Sequence, residues 1–555
     1  MSVRLVIIGG VAGGMSAATR ARRLSEGASI NVLEAGGHIS VATCGLPYLL
    51  DGRIASKENL LITTPRRAWE RYRITARVHH EVTRIDREHK QVEGVDHSTG
   101  RKFAAPYDKL IIATGAQPIV PAVPGAGSAN VFTLRSIEDA LAVEDWIMKQ
   151  KAARAVVIGA GFIGLEVAET LRKRGLAVTV LEKAPHALPV LDREIAARVG
   201  EELAKNNIDL RCGSGLKSVN ARHGVAFQVE TEDGKPIDAD LVIMSVGVRP
   251  DVALARAAGL RIGPSGAIAV DQYQRTSEPD VYAIGDASEG VHAVTAAQVR
   301  VALAGPANRQ GRVAGSHAVG GPARPTAKVL GTAIVKVFDL TVAVTGLGEA
   351  AARQAGFDAD SAMIQAPHHA SYYPGAEPMR IKLIYDAPSG VVLGAQIAGG
   401  AGVDKRIDVV ATAMYFSGTV ADLGALDLAY APPFSSARDP IQVAAAVAQN
   451  QRDGVMPAVA PAALNGELLL DVRMPEESSR GTLADAVNIP LDALRDRMAE
   501  LDTTKSIVTM CQAGQRGYVA QRILVQHGFK KVKNLKGGFS VAKDGTTRNI
   551  TGGQN

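Results

Sequence analysis

The chain is poor in cysteine and in aromatic residues: three cysteines, Cys44, Cys212 and Cys511, and 4% Phe, Trp and Tyr among 555 residues. Three distant thiols, odd in number and without a C-x-x-C pair, exclude a disulfide framework and the usual zinc pattern. They suit a reducing compartment where a thiol is kept for its reactivity, so the reading is a cytoplasmic protein with no metal site. So few aromatics leave little to stack on bases, and basic residues interspersed with acidic ones give a net charge of only +6. Nucleic acid is therefore not expected as a partner. Nor is a membrane: the charge-free stretch Leu5–Thr19 contains four glycines and is shorter than the ~20 apolar residues that span a bilayer. It reads as a buried strand entering a glycine loop. A composition of 46% hydrophobic and 21% charged residues is that of a folded chain, and the length implies roughly three or four domains.

What the sequence does have is glycine in a repeated arrangement. The β-branched run Val3–Ile8 breaks at Gly9-Gly10-Val11-Ala12-Gly13-Gly14. A helical segment follows to Leu24, then a strand Ile30–Leu33 that ends at Glu34. The same order recurs as Ala155–Ile158, Gly159-Ala160-Gly161-Phe162-Ile163-Gly164, a helix to Lys173, Ala177–Leu181 and Glu182. One such loop is a weak signal; two, each in strand–loop–helix–strand–acid context, are a strong one. Free amides at a helix N-terminus bind pyrophosphate, glycine lets the backbone approach it, and the terminal glutamate accepts from ribose hydroxyls. Glu182 would repel a 2′-phosphate, which favours NADH over NADPH while leaving NADPH open. Three more apolar runs end in glycine: Lys109–Ile112 before Ala113-Thr114-Gly115, Val246-Gly247 before Val248-Arg249-Pro250, and Val281–Ile284 before Gly285-Asp286. Parallel sheets hold ligands at such strand ends.

These motifs and their order resemble the two-dinucleotide flavoprotein disulfide reductases over about Ser2–Ile441. The resemblance implies FAD on Gly9, Ala12, Gly13, Gly14, Glu34, Ala113, Thr114, Gly115, Gly285 and Asp286. It places the nicotinamide cofactor on Gly159, Gly161, Gly164, Glu182 and Gly247. Val11 departs from the pattern, standing where the first loop's second glycine would be.

Cys44 lies in turn-like sequence, Thr43-Cys44-Gly45-Leu46-Pro47, not in an apolar run. Dithiol relatives carry a second cysteine five positions on; here that residue is Leu49. A lone cysteine can pass through a two-electron redox cycle only by bonding to another sulfur or to oxygen, the adduct then taking up the two electrons. The pattern Ser40-x-x-x-Cys44-Gly45-Leu46-Pro47-Tyr48 is similar to the single-cysteine branch: coenzyme A disulfide reductases, NADH oxidases and NADH peroxidases. The oxidases and peroxidases carry a histidine where this chain has Ala12, which argues against peroxide chemistry.

Ser16, Arg20 and Arg23 share one helical face, which fits either a phosphate clamp or a solvated basic stripe. Resemblance to coenzyme A disulfide reductases implies the first and adds Ser40, Thr43, Asn308 and Arg438 as coenzyme A contacts. It also implies a homodimer in which Tyr372 and Tyr430 cross the interface as thiolate or proton partners, although tyrosines are more often packing residues.

Ser506–Met510 is a strand that ends at Cys511-Gln512-Ala513-Gly514-Gln515-Arg516, with a helix following. A cysteine in a strand-to-helix loop meets backbone amides and the helix dipole, which favour an anionic sulfur. Residues 467–539 resemble single-domain rhodaneses, with a loop sized for a persulfide on Cys511 and one residue too short for a cysteine phosphatase.

The expected fold is α/β: two Rossmann-like domains of the glutathione-reductase type, an α+β dimerisation domain and a C-terminal rhodanese domain. Their expected limits are 1–112 with 246–323 for FAD, 113–245 for NADH, 324–445 for dimerisation, 446–463 as linker and 464–555 for rhodanese. The whole resembles rhodanese-fused coenzyme A disulfide reductases, also described as NADH-dependent persulfide or polysulfide reductases. The expected function is therefore reduction of coenzyme A persulfide, polysulfide or coenzyme A disulfide at Cys44. The competing readings are an NADH oxidase or peroxidase working through a Cys44 sulfenic acid, and a redox-sensing or sulfur-carrier binding protein.

Overall fold

The computed structural model describes residues 2–545 and 550–551. They fall into two compact units, one containing the described residues up to Pro185 together with Asn207–Gly331, the other His186–Asn206 and the described residues from Thr332 on.

The first unit contains two five-stranded parallel sheets. One has the order Val281–Ala283, Lys109–Ile112, Arg4–Ile8, Ser29–Leu33, Thr75–Arg77. The other has the order Ile208–Cys212, Ala177–Glu182, Arg154–Ile158, Leu241–Met244, Val131–Phe132. Arg4–Ile8 and Arg154–Ile158 each bury their last four residues, as strands covered on both faces must. Each central strand is flanked by the next strand in sequence and by a distant one, so a crevice opens at its C-terminal end, where the glycine loop lies. The run at Val246–Pro250 departs from the sequence reading. The buried strand is Leu241–Met244; Val246 is exposed, and Val248–Pro250 pairs antiparallel with Ala116–Pro118.

Helix Ala12–Leu24 packs on helix Ala304–Ala318. A Cβ on Gly311 would fall 2.4 Å from the Gly13 carbonyl, and one on Gly315 2.3 Å from the Ala17 carbonyl. The two backbones touch, and only glycine allows it.

The second unit holds an antiparallel sheet ordered Ala333–Val337, Leu340–Gly346, Val392–Gly399, Pro378–Asp386, Ala359–Pro367. A parallel sheet follows in the order Ala458–Val459, Val532–Leu535, Ile507–Met510, Leu468–Asp471, Val487–Asn488. The stretch 446–463, read as a linker, is structured. Helix Pro440–Arg452 runs into it, capped by Asp439 in a capping box, and Ala458–Val459 is already an edge strand of the last sheet. Its two prolines, Pro457 and Pro461, flank this short strand, so proline here punctuates structure and does not mark a linker. The C-terminal limit assigned to the rhodanese domain, Asn555, lies outside the described residues.

Two buried cations tie this unit together. Lys382 meets Asp192 at 2.9 Å, Glu349 at 2.9 Å and Glu194 at 3.3 Å. Arg380 donates to the carbonyls of Glu194 and Ser540 and to Asp544, which fixes helix Phe539–Gly545 against strand Pro378–Asp386. Among the described residues no helix is long and apolar enough to cross a membrane.

Candidate functional site

The two glycine loops are built alike. Gly9 and Gly159 have φ of +97° and +102°, and a Cβ on Gly14 or Gly164 would lie 1.9 or 2.0 Å from the Gly9 or Gly159 carbonyl. Each loop is therefore folded onto its own helix as only glycine permits. Glu34 accepts from the Gly10 amide at 2.7 Å and the Gly36 amide at 2.8 Å; Glu182 accepts from the Ala160 amide at 2.7 Å and the Ala184 amide at 2.8 Å. Both carboxylates are thereby held beside their loops. Neither following helix has a side-chain cap, so its first amides are free for phosphate. Open space surrounds a Cβ built on Gly161. Val11 stands at φ −92°, outside the left-handed region that favours glycine.

These cradles fit two dinucleotides, and the chemistry of Asp286 is consistent with a ligand at the first. Its carboxyl is pushed up by burial, against the pull of Arg135 and Arg300, and among the described residues it accepts no protein hydrogen bond. Such a carboxylate is suited to ligand hydroxyls. Thr114 uses its hydroxyl on the Asp251 carbonyl at 2.7 Å, and Gly115 has φ +73° with its α-carbon facing Arg135.

Cys44 lies in the one-turn helix Thr43–Gly45 and is exposed. Ser40, at φ +53°, ties this segment to the first glycine loop, its amide donating to the Gly10 carbonyl at 2.7 Å. Helix Leu46–Leu50 follows directly and is strapped to helix Phe162–Lys173, the one that begins at the second loop. Tyr48 donates to Glu166 at 2.7 Å, Thr170 to the Pro47 carbonyl at 3.1 Å and Arg53 to Glu169 at 3.1 Å. Protein packed around the turn, then the Glu166 and Asp286 carboxylates, push the Cys44 thiol up. Burial and then Glu182 push the Cys212 thiol up to about 11, so Cys212 is held as a neutral thiol. Glu166, Arg135 and Arg300 lie in no local motif, and the pairing of Tyr48 with Glu166 leaves no mark in consecutive residues.

The helix contact seen above brings Ser16 to Asn308, hydroxyl to amide oxygen, and Arg20 to Ser316 at 2.8 Å. Desolvation, then Arg312 and Arg23, lower the Arg20 guanidinium. Like charges gathered with no ion-paired carboxylate among the described residues favour an anion, and Arg312 is a member the sequence did not reveal. Thr43 begins the Cys44 turn.

In the second unit Tyr372 and Tyr430 meet hydroxyl to hydroxyl at 2.9 Å, both on the surface; Arg438 lies exposed in the segment after Tyr430. His368 and His369 lie with ring centroids 4.1 Å apart and planes tilted by 59°, and the described residues contain no group of three potential metal ligands.

Cys511 ends strand Ile507–Met510 and precedes helix Gln515–Gln526. Its sulfur accepts from the Gly514 amide at 3.1 Å. The Phe539 amide donates to the Cys511 carbonyl at 2.8 Å and the Ser540 amide to the Gln512 carbonyl at 3.0 Å, so the closing Gly537-Gly538-Phe539 turn pins the loop. Arg473 is buried against Asp471 and reaches Gln512.

Comparison with known proteins follows this division. Residues 3–311 match the family described as pyridine nucleotide-disulphide oxidoreductase, residues 332–440 its dimerisation domain and residues 457–544 the rhodanese-like domain. A CoA-dependent NAD(P)H sulfur oxidoreductase of Pyrococcus abyssi is 37% identical over 80% of this chain and 97% of its own. Among solved structures, the reduced CoADR-RHD of Bacillus anthracis superposes with a TM-score of 0.95 at 42% identity, covering 98% of each chain. A NAD-dependent persulfide reductase from A. fulgidus does so with a TM-score of 0.92 at 39% identity, covering 97% of this chain and 99% of its own.

Proposed function

Because the chain belongs to the pyridine nucleotide-disulphide oxidoreductases, we propose that it uses NADH to reduce sulfur–sulfur bonds of coenzyme A persulfide, polysulfide or coenzyme A disulfide at Cys44. The observation that carries this is a lone cysteine, without a partner at Leu49, in a segment bonded to the first dinucleotide loop and to the helix that begins at the second. Bound FAD supplies two-electron transfer between nicotinamide and sulfur. The chain's residues do the rest. Glu34 and Glu182 hold the riboses, the uncapped helix N-termini hold the pyrophosphates, and Arg20, Arg23 and Arg312 hold the nucleotide end of coenzyme A beside Ser16 and Asn308. The Cys44 thiolate attacks the S–S bond and expels thiolate or hydrosulfide. The Cys44 adduct is reduced back to thiolate with the electrons of NADH. The dimerisation domain supports a homodimer in which the Tyr372–Tyr430 pair, with Arg438, serves the partner subunit's site. Cys511 carries sulfane sulfur on the loop Gln512–Arg516 and feeds it to that chemistry.

Steady-state NADH oxidation with coenzyme A persulfide, coenzyme A disulfide, polysulfide and glutathione persulfide, set against oxygen and peroxide, tests the reading. Sulfur substrates should be faster; a peroxide rate above all of them would replace it with a peroxidase. Glu182→Ala should raise the NADH KM about tenfold and the NADPH KM much less. An unchanged ratio would remove Glu182 from ribose recognition.

A further inference from the structure

The rhodanese loop presents no uncommitted guanidinium to a donor. Arg516, its last residue, places both terminal nitrogens on Glu477 at 2.7 Å, a bidentate pair. Glu477 is fixed from behind by the Met474 amide at 3.1 Å. The Arg516 contact holds the Glu477 carboxyl down at about 2, so it stays charged at any working pH. The other guanidinium bonded to the loop, Arg473, lies 2.6 Å from the buried Asp471. Cys511 is itself 2% exposed; its sulfur has one amide donor, Gly514, and the Arg516 guanidinium also faces it, more weakly than it faces Glu477.

This arrangement has a consequence for the charge of the incoming donor. A dianion entering the loop would leave water for a site in which each guanidinium is already cancelled by a carboxylate, with the Glu477 charge close by. A neutral or singly charged donor loses far less hydration and meets less repulsion.

We propose that Glu477 is a donor-selecting residue: by neutralising Arg516 it excludes dianionic donors of the thiosulfate type and admits persulfides of small thiols. The proposal rests on the reading of Cys511 as a sulfane-sulfur carrier. In the transfer, the Cys511 thiolate attacks the outer sulfur of R–S–SH and forms a new S–S bond. The old S–S bond breaks and its electron pair leaves on RS⁻, which takes the proton, so the products are RSH and the Cys511 persulfide anion. No external oxidant or reductant is consumed. Thiosulfate would instead expel sulfite, a dianion, past Glu477.

The test is sulfur transfer to cyanide by the full-length protein without NADH, with thiosulfate and with glutathione persulfide as donors. Glu477→Gln keeps the size and removes the charge. Its kcat/KM for thiosulfate should rise about tenfold, with the persulfide value changed less than about twofold. Glu477→Asp keeps the charge and should keep the wild-type donor preference. An unchanged thiosulfate rate in Glu477→Gln, or a parallel fall with both donors, would overturn the proposal, the second outcome marking Glu477 as structural only. Cys511→Ser separates the two claims. Sulfur transfer that survives in that variant would end the carrier reading itself, whereas loss of transfer leaves that reading standing whatever Glu477 does.

Discussion

Replacing Cys44 by serine is expected to lower NADH turnover with coenzyme A persulfide by at least about a thousandfold while leaving both dinucleotides bound. Serine keeps the shape of the Thr43–Gly45 turn, whose tightness is set elsewhere: a Cβ on Gly45 would fall 2.3 Å from Leu60. The hydroxyl, however, has neither the acidity nor the nucleophilicity of a thiol and cannot form a disulfide or persulfide. Loss of turnover with retained flavin absorbance and retained NADH binding locates the defect at sulfur chemistry. Cys511→Ser provides the contrast. With free coenzyme A persulfide supplied it should keep most of its NADH turnover, because the substrate reaches Cys44 without being loaded on the rhodanese loop. Unchanged turnover in Cys44→Ser would remove Cys44 from the reaction, and equal losses in both variants would mean that sulfur reaches Cys44 only by way of Cys511.

The parts of this site that could be read from sequence are those whose chemistry is local. Each glycine loop lies within 24 residues of the glutamate that bonds it, and a strand, a tight turn and a helix N-terminus leave a pattern in consecutive residues. The Cys511 loop was legible for the same reason. What escaped is assembled from distant segments. Tyr48 and Glu166 are 118 residues apart, Arg473 and Gln512 are 39 apart, and Arg312 joins Arg20 only because Gly311 and Gly315 let two helices touch. The surroundings of Cys44 belong to the same class: its turn is visible in sequence, but the protein packed around it and the carboxylates of Glu166 and Asp286, which push the thiol up, come from elsewhere. The stretch 446–463 looks like a linker in sequence because its prolines flank a two-residue edge strand too short to leave a pattern.

Lys382→Met is expected to destabilise the second unit by about 3–5 kcal/mol at neutral pH, the cost of breaking a buried ion cluster by removing one sign of charge. Lys382 is 4% exposed in its side chain and serves Asp192, Glu194 and Glu349 at once, residues drawn from segments far apart in the chain. Methionine fills the same volume but leaves three carboxylates facing one another. The pH dependence tells this apart from a simple packing loss. Burial alone would push the Glu349 carboxyl up, but Lys382, aided by Lys536 and Ser361, holds it down at about 2 from an ordinary 4.5. A carboxyl depressed in the folded state contributes stability that is complete above the unfolded value and is lost as pH falls through the folded one. Wild-type unfolding temperature should therefore fall between pH 4.5 and about 2. In Lys382→Met the sign reverses: crowded carboxylates have raised folded values, so protonation relieves them and the gap to wild type narrows as the solution is acidified. Glu349→Gln in the Lys382→Met background should recover part of the loss at neutral pH. A deficit independent of pH from neutrality to acid would show that Lys382 contributes volume, not charge, to this core.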